Sequence, residues 1–119
     1  MSVTLYDRLR GEAGISDLVD RVVDLHLANP TVATRFAHGD LPRARAMAKE
    51  FFAAGSGGPV DYSGKSMLDA HAGMNISEQE FLAVVDDIMN AMAGLGYEPA
   101  VRNEVLAIAY SLKDDIVRV

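Results

Sequence analysis

Apolar residues recur at three- and four-residue spacing along most of this chain, and nowhere do they alternate over a useful length. That period collects them on one stripe of an α-helix, whereas alternation would mark a strand. Ile15, Leu18, Val19, Val22 and Val23, with Leu25 near the end, form one such stripe until Asn29-Pro30 stops it. Asp17 and Asp20 are expected to face water. Thr31–Gly39 reads as a short turn of helix and a corner, with Phe36 its one large apolar residue. Asp40 is placed to cap a helix whose Pro42 falls in the first turn, where a missing N–H costs little. On that helix Ala44, Met47, Ala48, Phe51 and Phe52 share one face, and Gly55–Pro59 ends it. Ser66–His71 reads as a short helical piece closing at Gly73. Ser77 and Glu80 form an S-x-x-E capping box ahead of Phe81, Val84, Val85, Ile88 and Met92. A last helix, from near Pro99, carries Val101, Val105, Ile108, Leu112 and Ile116 inward. The expectation is an all-α domain spanning residues 1–119.

Composition removes several classes of function. Hydrophobic residues make up 50% of the 119; counting Gly and leaving out Tyr gives about 55%, above the roughly 45–50% of an average soluble domain. A disordered chain is excluded by that surplus. Eleven Lys and Arg against seventeen Asp and Glu leave a net charge of −6. The run Arg43, Arg45, Lys49 is too thin a basic patch to displace counterions, so nucleic acid is excluded as a partner. No apolar stretch approaches the roughly 18 residues of a membrane span. The N-terminal MSVTLYDRLRGE is polar and charged, so no secretory signal is expected. With no cysteine, disulfides, thiolate catalysis, zinc ribbons and iron–sulfur clusters drop out, and a reduced cytoplasm is the expected setting.

The inventory of reactive groups is short. G-x-S-x-G does not occur, and no G-K-[ST] follows Gly55-Ser-Gly-Gly, which reads as a helix terminator rather than a phosphate loop. Asp86-Asp87 and Asp114-Asp115 are adjacent in sequence, splay around a helix and read as solvated surface charges. His26, His38 and His71 lack H-E-x-x-H spacing, so a multi-histidine zinc site is not expected. His71 has the most suggestive setting, with Met67 one turn before it and Ala70, Ala72 and Gly73 around it. A single imidazole among apolar side chains can hold a metal that brings its own other ligands, and haem is that case. Phe36, the Ala44–Phe52 face, Met67, Ile76 and Phe81 are candidates for lining a flat apolar slot; plain core packing explains the same spacing.

These residues, in this order, resemble the truncated haemoglobins, and within them the first group. Leu5–Ile15 reads L-Y-D-R-L-x-G-E-x-x-I, and Leu27–Pro30 reads L-A-[DN]-P. Phe36–Asp40 supplies the corner with its Phe and Asp, and Lys49–Ala54 the K-x-F-x-x-A of the distal helix. Gly57–Pro59 and Tyr62–Gly64 give G-G-P and Y-[ST]-G. His71–Ile76 gives H-x-G-x-x-[IV], with an aromatic five residues on at Phe81. The resemblance runs nearly end to end. It implies a two-over-two helical sandwich around one haem b, with His71 as the proximal iron ligand. It also implies that Phe36 packs on the porphyrin, flanked by Met67, Ile76 and Phe81. Ala44, Met47, Ala48, Phe51, Phe52, Tyr62 and Val84 complete the candidate cofactor-binding set.

The departures bear on function. Members commonly carry a Tyr on the second helix, where Val23 stands, and Gln or His on the distal helix, where Ala44, Met47 and Ala48 stand. Arg10 replaces a Gly of the opening motif. Dioxygen takes on partial negative charge when it binds, so a donor favours it; the missing charge-assisted bond is worth roughly 1.5–3 kcal/mol, or one to two decades in affinity. The expectation is a binder of diatomic gases, O2, CO or NO, that releases dioxygen quickly. Nitric oxide dioxygenation would be the enzymatic version, and it needs stably held dioxygen. Two alternatives stand beside it: an electron-transfer haem protein with Met47 as second ligand, and a haem-free helical interaction domain. Met47 otherwise fills space, and His26, one turn beyond Val23, either approaches the pocket or is a core or surface histidine. A reductase partner suits the acidic surface, and the expected state is a monomer or weak homodimer.

Overall fold

The computed structural model describes residues 3–36 and 39–119 and forms helices where the apolar period runs. They are α1 (Leu5–Arg8), α2 (Gly11–Ala28), α3 (Leu41–Gly55), α4 (Met67–His71), α5 (Glu78–Gly94), α6 (Pro99–Ser111) and α7 (Lys113–Ile116), with a 3-10 turn at Ala33–Phe36. No strand forms among the described residues; one bridge pairs Ile76 with Val117. The caps follow the sequence. Asp40 accepts from the Arg43 amide, Ser66 from Asp69 and Ser77 from Glu80, each holding an orphan N–H of a first turn. The Glu80 carboxylate goes to another use: both its oxygens take Arg35, at 2.8 and 2.9 Å.

The last helix is not continuous. It breaks at Leu112, which ends α6 and begins α7, so the chain turns back and the Arg118 amide donates to the Ile76 carbonyl at 2.9 Å. Ile108, expected inside, is 39% exposed, yet it lines the cavity described below. Asp17 is exposed as expected, but Asp20 is half-buried and pairs with Arg45 and Lys49 of α3.

α2 packs against α3 and α5, and α5 packs on α6. Each of the last two is divided along its length. The second half of α5 (Ala91, Met92) and the first half of α6 (Val101, Val105) join Leu9, Ile15, Leu18, Val19, Val22, Val23 and Tyr97 in a closed core. The first half of α5 and the second half of α6 border a cavity instead. Two joints hold this arrangement. Arg10, left-handed at φ 72°, donates to the Leu95 carbonyl at 2.8 Å and lies 4.1 Å from the centre of the Tyr97 ring. The Tyr97 hydroxyl in turn donates to the Leu9 carbonyl at 2.7 Å. These contacts offset the cost of a positive φ at a side chain where the resemblance would put Gly.

Candidate functional site

α3 is amphipathic in sequence, yet only Ala53 is fully buried on it. Ala44, Met47, Ala48, Phe51 and Phe52 are all half-buried, because their face meets a cavity of about 560 Å³ rather than another helix. That volume lies within the roughly 300–1,000 Å³ of small-molecule and cofactor sites. Phe36 before α3, Tyr62 after it, Met67 and His71 of α4, Ile76, and Phe81 and Val84 of α5 line the same space, with further wall from α1, the 3-10 turn, α6 and α7. Twelve residues scattered over 49 positions thus converge on one space. Val23 does not: it is 5% exposed, packed in the core, and lines no part of this cavity. The apolar stripe on α2 is wide enough to face the core alone, so its register gives no way to assign Val23 to one side or the other.

His71 ends α4, the one-turn helix that Ser66 caps. Its Nδ1–H donates to the Met67 carbonyl one turn back, at 2.7 Å. This bond fixes the ring plane and uses the Nδ1 proton, so Nε2 is the nitrogen available to a metal. α4 packs against α7, and the Gly73 amide donates to the Val119 carbonyl at 3.0 Å, which fixes the segment that follows. Among the described residues no three His, Asp or Glu side chains converge. The donor set suits a metal that arrives in a large apolar ligand frame.

The polar groups on the wall are few and mostly engaged. Arg35 spends its guanidinium on Glu80 and on the Met74 carbonyl at 3.0 Å. The Glu80 carboxyl is held below the usual range; the Arg35 hydrogen bonds outweigh the effect of burial. The Ser56 hydroxyl donates to the Phe52 carbonyl at 2.6 Å. Tyr62 meets Phe51 edge to face, ring centres 5.2 Å apart, with its hydroxyl beside Gly64.

One cluster departs from the sequence reading. Asp86 is exposed, but Asp87 is buried, 7% exposed, and is no solvated surface charge. Its Oδ2 accepts from His26 Nδ1–H at 2.7 Å, and the Asn29 amide nitrogen lies 3.3 Å from both its oxygens. The splay of adjacent carboxylates is real, and it turns one of them inward. His26 is likewise a core histidine, 6% exposed, and its register with Ile15, Val19 and Val22 was the signal available. Asp114 and Asp115 are exposed, as expected. His38 lies outside the described residues.

A family model for bacterial-like globins matches residues 4–118. A group 1 truncated hemoglobin of Tetrahymena pyriformis is 29% identical over 114 residues, which cover 96% of this chain and 94% of the relative. One of Nostoc sp. (strain MUN 8820) is 31% identical over 93 residues, 78% of this chain and 79% of the relative. The solved Fe(III) form of the Tetrahymena pyriformis protein matches with a TM-score of 0.95 and 28% identity, over 98% of this chain and 100% of the other. That protein has also been solved with a tyrosine changed to phenylalanine and with a glutamine changed to glutamate.

Proposed function

The chain belongs to the bacterial-like globins and to the truncated haemoglobins among them, and from that premise we propose that it binds haem b through His71 and takes diatomic gases on an apolar distal side. Membership implies a haem-binding globin; the iron ligand, the lining and the gas chemistry are our reading. The observation that carries it is His71: a histidine on the cavity wall whose Nδ1–H is bound to Met67 and whose Nε2 is left for iron. Haem, when bound, supplies an iron at which O2, CO or NO binds.

The chain's own residues do the rest. Phe36, Met67, Ile76, Phe81 and Val84 offer apolar surface to a flat macrocycle, and Tyr62, Phe51 and Phe52 add aromatic wall. Ala44, Met47 and Ala48 form the distal wall. α2 carries no Tyr and α3 no Gln, the residue types altered in the solved variants of the Tetrahymena relative. With Arg35 and Ser56 engaged elsewhere, the distal side offers a gas no hydrogen bond from its usual positions. A carrier or scavenger that releases dioxygen quickly fits this wall, in the cytoplasm, with a positively charged reductase suited to the net charge of −6.

Haem titrated into the protein tests this reading. A sharp Soret band at one equivalent is expected, and it is lost or strongly shifted in His71→Ala with helical content unchanged. A wild-type chain that takes up no haem, or an unaltered Soret band in His71→Ala, overturns the assignment.

A further inference from the structure

The His26–Asp87 pair has no part in the mechanism above, although it is the most buried polar cluster among the described residues. Two charged or polar side chains in a core are costly unless fully bonded, and replacing such a pair with apolar residues is often neutral. Stability alone therefore does not explain it. Its surroundings do. The His26 ring lies stacked on Phe36, centroids 5.8 Å apart and planes within 18°. Phe36 lines the cavity.

The geometry points to His26, oriented by Asp87, as a positioning residue that sets the Phe36 ring against the cofactor. An imidazole turns about a broad, soft χ2 torsion, so packing by itself leaves its plane loosely defined. The bond to Asp87 Oδ2 defines it, and Asn29 holds the carboxylate in turn. The Asn29 side-chain oxygen accepts from the Thr31 amide at 3.1 Å, so the same cluster anchors the turn leading to Ala33–Phe36. The neighbouring residue is fixed independently, by Arg35 on Glu80. Glu80 and Asp87 stand seven residues apart on α5, two turns along one side. Two polar anchors on one helix thus place residues 35 and 36, and the second acts on Phe36 through a ring.

This inference rests on the haem reading, and its test separates the two. His26→Leu with Asp87→Leu removes both the polar pair and the stack; His26→Phe with Asp87→Leu removes the pair and keeps a ring beneath Phe36. Three quantities are read for each: melting temperature, rate of haem transfer to excess apomyoglobin, and affinity for iron-free protoporphyrin IX by fluorescence. The aliphatic variant is expected to lose haem about fivefold faster and to bind the iron-free porphyrin about fivefold more weakly, the scale of one aromatic pair. The aromatic variant stays within about twofold of wild type, and in a Phe36→Leu background the aliphatic pair costs nothing further, because His26 acts through that ring. Should the aliphatic variant not fold, Asp87→Asn, which keeps the volume and weakens the bond that orients the ring, shows the same direction at smaller size. Wild-type retention in the aliphatic variant, additive loss with Phe36→Leu, or retention that follows melting temperature alone overturns the positioning role. A wild-type chain that binds neither haem nor porphyrin instead overturns the haem reading, and this inference falls with it.

Discussion

At the scale of single residues, two neighbouring aspartates carry opposite meanings. Asp86 looks into solvent and Asp87 holds His26 and Asn29 inside the molecule. Removing one partner of a buried pair strands the other, so Asp87→Ala is expected to cost about 3–5 kcal/mol in urea unfolding, whereas Asp86→Ala stays within about 0.5 kcal/mol. Equal effects would place Asp87 outside the core. The pairing spans 61 positions, and no local pattern in the sequence announces it. What was legible is the register: His26 continues the stripe of Val19 and Val22, and a polar residue on such a stripe demands a partner. His71, by contrast, stands on the cavity wall, and the bond from its Nδ1–H to Met67 follows simply from four-residue spacing on a helix.

At the scale of elements, caps and periods sufficed for the helices, and the exceptions have physical causes. The break at Leu112 lies in a run whose apolar spacing continues unbroken from Val105 to Ile116, so the period alone shows no end to the helix. The turn is fixed by contacts far away in sequence, between the C-terminal residues and Gly73 and Ile76. Arg10 is similar. It departs from the glycine of the opening motif, and its side chain ties the start of α2 to the α5–α6 joint through Leu95 and Tyr97. Tyr97→Phe keeps the ring under Arg10 but strands the Leu9 carbonyl, and about 1–2 kcal/mol of stability should be lost on thermal or chemical unfolding. No loss would mean that water replaces the hydroxyl.

At the scale of the whole molecule, the apolar surplus divides between a closed core at one end and a cavity wall at the other, and this division is what composition could not reveal. Acid bears on both parts. The Asp20 carboxyl is somewhat desolvated, but bonds from Lys49 and Arg45 hold it below its ordinary value, and Arg35 does the same for Glu80. Groups with depressed folded-state values stabilise above the unfolded values of 3.8 and 4.5. Stability should therefore be flat near neutrality and fall as pH drops through about 4.5 and below, with a smaller fall in Arg35→Gln; a curve indifferent to that substitution would remove Glu80 from the account. No helix among the described residues is long and apolar enough to cross a membrane. The proposal turns on Ala44, Met47 and Ala48 as an apolar distal wall, and the rate of dioxygen release from the reconstituted iron(II) protein tests it. Wild type is expected to release dioxygen fast, and Ala48→Gln, which brings an amide donor into the cavity, to slow release by about one to two decades. Slow release in wild type, unchanged by Ala48→Gln, would contradict an apolar distal side and direct attention to the Tyr62 hydroxyl.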